Sequence, residues 1–244
     1  MPNIKLTIQY EGTRYIGWQK QQEGNSVQGQ IEKAIKEITG EKVNLIASGR
    51  TDSGVHAIGQ VANFLTDSLI PPDRFKFALN SKLPEDISIV ESGKVADDFH
   101  ARYDAIGKRY RYLIYNNPIR NPLYRRFAYH VPYSLDHDKM NKALKCFIGT
   151  HDFASFMASN SSIDNTIRTI NVGSLCKKDD LLVFTIEGNG FLYNMIRIMV
   201  GTMVEIGRGR LEVYHIPNIL KSKDRRMAGP TAPPQGLYLE KVYY

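Results

Sequence analysis

Alternation opens the chain. Ile4, Leu6, Ile8 and Tyr10 are apolar with Lys5, Thr7 and Gln9 between them, and this period of two predicts a strand with one buried face. After a loop rich in Gly and Gln the period changes. Val27, Ile31, Ile35 and Ile38 fall on one stripe of a helix, with Asn25 or Ser26 as the cap and Gly40 as the stop. Strands are predicted again over 43–47 and 58–65, and Pro71-Pro72 starts a second helix through Phe75, Ala78 and Leu79. A further strand begins at Arg109-Tyr110-Arg111-Tyr112-Leu113-Ile114-Tyr115, a helix spans 134–149, and a strand covers 181–187. Residues 191–206 read as a helix that is apolar on nearly every side, and a strand over 236–243 closes the pattern. The mixture of elements predicts an α+β fold with proper cores. Two domains are expected, 1–104 and 105–244.

Charge supports that division. Residues 1–104 hold 12 Lys and Arg against 14 Asp and Glu, a net of −2, whereas residues 105–244 hold 20 against 11, a net of +9. Lys108, Arg109 and Arg111, then Arg120, Arg125 and Arg126, then Lys221, Lys223, Arg225 and Arg226 form clusters able to follow a phosphate backbone. A solvated basic face has the same composition, so charge leaves both readings open. Cys146 and Cys176 are far apart with no Cys-x-x-Cys spacing, and the six histidines show no ligand spacing, so no disulfide framework and no metal site are expected. Gly188-Asn189-Gly190 lacks the third glycine of a dinucleotide loop, and no phosphate-binding P-loop occurs, so the chemistry is expected to need no cofactor. The opening residues lack the regions of a signal peptide, and the most apolar stretch is too short to span a bilayer. A reducing cytoplasm is the expected home.

The most informative segment is Ser48-Gly49-Arg50-Thr51-Asp52-Ser53-Gly54-Val55-His56-Ala57, a small, polar, glycine-punctuated loop between two strands. Asp52 there has two readings. Its carboxylate can cap the turn by accepting backbone N–H groups. Alternatively, Arg50 keeps it ionised as a nucleophile or base must be. Arg197 sits on the apolar helix, where a guanidinium needs an anion, and the gap at Gly201 lets another segment come close. Its partner can be Asp52, Glu205 or a backbone carbonyl. Tyr110 shares a strand face with Tyr112 and Ile114, which suits either a core ring or one that stacks on a base.

Five segments together resemble the tRNA pseudouridine synthase A (TruA) family. They are the Ser48 to Ala57 loop, Lys108 to Tyr112, His151 to Phe156, Asn194 to Gly201 and Ala232 to Leu239, and they span nearly the whole chain. Ile196, where relatives often carry valine, is a mild departure. The resemblance implies Asp52 as the catalytic aspartate with Arg50 and Arg197 beside it, and Tyr110, Leu237, Arg109 and Arg111 as substrate-binding residues. It implies two domains of ferredoxin-like type with mostly antiparallel sheets and a basic active-site cleft between them. It also implies a homodimer acting on tRNA, at uridines 38 to 40 of the anticodon stem-loop. A non-catalytic RNA-binding protein and a carboxylate hydrolase are the rival functions.

Overall fold

The computed structural model describes residues 1–159 and 163–244. In chain order the elements are β1 (Asn3–Tyr10), α1 (Val27–Thr39), β2 (Ile46–Ala47), β3 (His56–Leu65), α2 (Phe75–Asn80), β4 (Ile87–Val95) and β5 (Gly107–Asn116). They continue with β6 (Tyr129–Val131), α3 (His137–Lys145), β7 (Gly149–Asp152), β8 (Ile167–Lys178), β9 (Leu181–Gly188), α4 (Met195–Gly207), α5 (His215–Ser222) and β10 (Leu237–Tyr243). The chain forms two compact units, Met1–Ile106 with Tyr238–Tyr244, and Gly107–Leu237. The first therefore contains the C-terminal strand, which the sequence pattern assigned to the second half. Alternation within a strand does not encode which unit that strand joins.

In the first unit β1 lies between β3 and β4, antiparallel to both, and β2 pairs with β3 antiparallel. The order β4-β1-β3-β2 with helices after β1 and β3 is the split βαβ arrangement of ferredoxin-like folds. Tyr238 and Leu239 add a short parallel pairing beside His56 and Ala57 of β3. Ile4, Leu6, Ile8 and Tyr10 are all buried, as their alternation requires. Helix α1 has the expected ends: the Ser26 side chain accepts the Gly29 N–H, and Gly40 takes the left-handed conformation at φ 78°. The strand expected over 43–47 is shorter, because only Ile46 and Ala47 find partners, in Asn63 and Ala62.

The second unit has the antiparallel order β5-β9-β8-β7, with β6 parallel to β5. Helix α3 is shorter than 134–149. Asp136 caps it by accepting the Lys139 N–H, and Gly149, at φ 108°, already opens β7. Helix α4 is buried along almost its whole length but starts at Met195, since Asn194 adopts a left-handed conformation at φ 59° and delays the first turn. Phe147, Phe153 and Phe156 form an aromatic cluster in this unit, all three fully buried. No described helix is long and apolar enough to cross a membrane.

Candidate active site

Asp52 sits half-buried on a loop whose neighbours are fastened in turn. Ser48 donates its N–H to Val61 O at 2.8 Å and its hydroxyl to Gln60 Oε1 at 2.6 Å. Gln60, fully buried, returns an amide hydrogen bond to Gly49 O at 2.9 Å, so one side chain closes the base of the loop. The Thr51 hydroxyl meets the Tyr10 hydroxyl at 2.9 Å in a buried pair. Burial pushes the Tyr10 phenol well above its ordinary value, with the Thr51 hydrogen bond opposing, so Tyr10 stays a neutral hydroxyl. Past Asp52 the Val55 N–H reaches back to Asp52 O at 3.1 Å, and Gly54 takes φ 77°. The aspartate is thus the central member of a tight turn whose backbone is committed on both sides.

A second loop, residues 11–18, clamps the first. Trp18 N–H donates to Thr51 O at 3.1 Å, and Tyr15 O accepts from the Ser53 hydroxyl at 3.2 Å and from Gly54 N–H at 3.4 Å. Gly12 N–H donates to His56 Nδ1 at 3.0 Å, which gives buried His56 an anchoring role, its ring stacked on Tyr238 at 4.8 Å. Asp86 anchors the clamp itself, accepting from the Tyr15 hydroxyl at 2.5 Å and from Arg14 Nε at 2.7 Å. Two glycines make the approach possible. At Gly12 a Cβ would overlap the Val55 carbonyl, and at Gly17, φ 119°, it would lie 2.6 Å from Thr51 O. Tyr10, Tyr15 and Trp18 were not legible as site residues, because they act through hydrogen bonds to residues far along the chain. The glycines of the loop were the available signal.

Arg50, also in the loop, is exposed. In the second unit, half-buried Arg197 donates Nε–H to Ala232 O at 2.8 Å and NH1 to Asn194 Oδ1 at 2.7 Å. A backbone carbonyl is therefore among its partners. Glu205 pairs instead with Arg208 at 3.4 Å and Arg210 at 3.6 Å. The gap at Gly201 is filled by the segment carrying Pro230, whose carbonyl a Cβ at Gly201 would overlap, and Ala232 N–H donates to Arg197 O at 3.0 Å. That segment continues to Pro233, whose carbonyl takes the Tyr112 hydroxyl at 2.7 Å, and to Gly236, packed on the Tyr112 ring. Burial raises the Tyr112 phenol well above its ordinary value while the Arg197 charge pulls it down.

Tyr110 on β5 is half-buried and meets Phe191 edge-on, ring centroids 5.2 Å apart and planes at 80°. Arg109 stands opposite Glu187 in the β5–β9 register and donates Nε–H to its Oε1 at 2.5 Å. Its charge is thereby matched within the unit. Arg111 is half-buried one pleat further on, and Leu237 is buried at the end of the unit. Asp152, from the third motif, accepts from Thr166 and Ala154 and pairs with Lys223 at 2.8 Å, while Ser155 donates to Ile219 O. That motif ties elements of the second unit together. Among the described residues no three His, Cys, Asp or Glu side chains are placed to hold a metal ion.

The first unit thus holds a carboxylate in a committed turn, and the second holds an arginine on a buried helix and a strand bearing tyrosine and arginine. Comparison with known proteins makes the class specific. The model of the tRNA pseudouridine synthase family matches residues 6–104 and 143–244. Curated relatives named tRNA pseudouridine synthase A match over the full length of both chains: 55% identity in Acetivibrio thermocellus, 52% in Caldicellulosiruptor bescii and 50% in a Thermoanaerobacter species. The chain belongs to the tRNA pseudouridine synthase family, a family of isomerases.

Proposed function

We propose that this chain converts uridine to pseudouridine in the anticodon stem-loop of tRNA, at positions 38 to 40, with Asp52 as the catalytic carboxylate. The observation that supports Asp52 most strongly is the bracing of its turn: Tyr10, Trp18 and Tyr15 bond to Thr51, Ser53 and Gly54 beside it, and Gln60 closes the base of the loop at Ser48 and Gly49. A turn made only to reverse the chain does not need a second loop clamped over it. Reactive groups do need such positioning.

The reaction breaks the N1–C1′ glycosidic bond, turns the freed uracil and forms a C5–C1′ bond. The C5 proton is lost and N1 gains one, so no oxidant, reductant or energy source enters. An ionised carboxylate can begin this by attacking C1′, as in a retaining glycosidase, or by removing the C2′ proton to give a glycal. Arg197 and Arg50 are proposed to keep Asp52 ionised. The Tyr110 ring lies on the displaced base, with Leu237 giving an apolar wall and Arg111 a phosphate contact. Arg109, already matched by Glu187, contributes less charge. Extruding the uridine costs a few kcal/mol, offset by stacking and phosphate contacts. A homodimer in the cytoplasm, working without metal or cofactor, completes the proposal, resting on the resemblance to the family.

The test is tritium release from tRNA carrying 5-tritiated uridine. Asp52→Asn is expected to abolish release while keeping most of the tRNA affinity. Unchanged release refutes the role of Asp52, and release of free uracil would favour a hydrolase.

A further inference from the structure

Beyond the candidate active site, the second unit carries a pocket of about 430 Å³ at the far end of β5. Its floor is aromatic. Tyr115 meets Tyr124 at 5.3 Å and His130 at 5.8 Å between ring centroids, with planes tilted by 33° and 36°. Its rim is basic, with Arg120 and Arg125 both exposed, and the Gln235 amide completes the lining. Among the described residues neither guanidinium makes a hydrogen bond or an ion pair. That distinguishes them from Arg109, Arg197 and Arg226, each of which has a partner within the chain.

The walls are held in place before any ligand arrives. The Asn121 side chain caps the short 3-10 turn Pro122–Tyr124 by accepting the Leu123 N–H at 3.0 Å, and Ala128 N–H returns to Tyr124 O. His130 is fixed by its Nε2 at 2.8 Å from Asn117 O, and since a carbonyl only accepts, Nε2 carries the proton. The Asn116 amide donates to both Val131 O and Tyr133 O, tying the return of the loop to β5. Preorganised rings beside two unengaged guanidinium groups match one ligand chemistry: a flat ring joined to a phosphate. The volume suits one nucleotide rather than a helix.

This pocket is separate from Tyr110. Tyr115 is five residues along the same strand, roughly 16 Å at about 3.3 Å per residue, and the odd spacing points it to the opposite face. We propose that the pocket binds one unstacked nucleotide of the RNA substrate, distinct from the uridine being modified, with its phosphate on Arg120 and Arg125 and its base against Tyr115, Tyr124 and His130. This rests on tRNA being the substrate.

The test measures tRNA affinity of the full-length protein across a salt series for wild type, the double variant R120Q/R125Q, and Tyr124→Leu. The double variant is expected to weaken binding and to reduce the slope of log K against log salt by about one to two, for the phosphate contacts removed. Tyr124→Leu is expected to weaken binding roughly tenfold with the slope unchanged, because stacking carries no counterion release. Thermal melts matching wild type confirm that the exposed arginines were replaced without unfolding. Affinity and slope unchanged in the arginine variant overturn the inference. If uridine monophosphate binds wild type, loses that binding in the variants, and yet displaces no tRNA, the pocket takes a free nucleotide and the RNA assignment is overturned. Wild type that fails to bind tRNA at all instead refutes the substrate proposed above.

Discussion

The turn that carries Asp52 is held by groups from outside it. Tyr10 illustrates this, since its hydroxyl is the partner of Thr51, the residue just before the aspartate. Tyr10→Phe leaves a buried threonine hydroxyl without that bond, a penalty of about 1–3 kcal/mol. The expected outcome is a lower kcat with tRNA affinity kept, measured by single-turnover tritium release and by binding; an unchanged kcat contradicts a positioning role. Asp152 provides a pH test. Burial alone would raise its carboxyl, but hydrogen bonds from Lys223 and Thr166 outweigh it, so its value lies below the ordinary 3.8. A lowered value means stability present above that pH and lost as pH falls through the folded-state value. The Tm gap between wild type and Asp152→Asn should therefore be constant from neutral pH to about 5 and shrink below about 4. A gap that widens in acid contradicts the assignment.

Elements with local signals were legible in the sequence, and those set by distant partners were less so. Helix α1 has a serine cap, an apolar stripe and a glycine stop within its own residues, and its limits follow. Helix α4 was visible as a buried helix, but its first turn was not, because only the backbone at Asn194 reveals the left-handed residue that postpones it. The Asp52 loop announced itself through composition. Its clamp did not, since backbone N–H and C=O groups look alike in every residue. Gly201 is the exception, a gap in an apolar helix that marked the approach of a segment, the one carrying Pro230. Gly201→Ala must push that segment away and with it the Ala232 contact to Arg197, costing about 1–3 kcal/mol of overpacking. Gly93→Ala, where an added Cβ meets nothing within 4 Å, is the control. Differential scanning calorimetry should show Tm falling for the first and nearly unchanged for the second; equal melting temperatures contradict the packing described.

At the scale of the whole molecule, the basic excess lies after residue 104 and the braced carboxylate before it. The basic clusters and Tyr110 belong to Gly107–Leu237, and the aspartate to the unit that also holds the final strand. Membership of that strand escaped the sequence reading because two residues of parallel pairing, Tyr238 and Leu239 with His56 and Ala57, leave no periodic trace. The stack of His56 on Tyr238 then ties the chain's last element to the end of the Asp52 loop. The central claim is that this chain uses Asp52 to isomerise uridine in the anticodon stem-loop. It is tested most directly by mapping pseudouridine in unmodified tRNA treated with purified wild type or Asp52→Asn. New pseudouridine at positions 38 to 40 with wild type, and none with the variant, is the predicted result. Pseudouridine at those positions with both proteins, or none there with wild type, would contradict it.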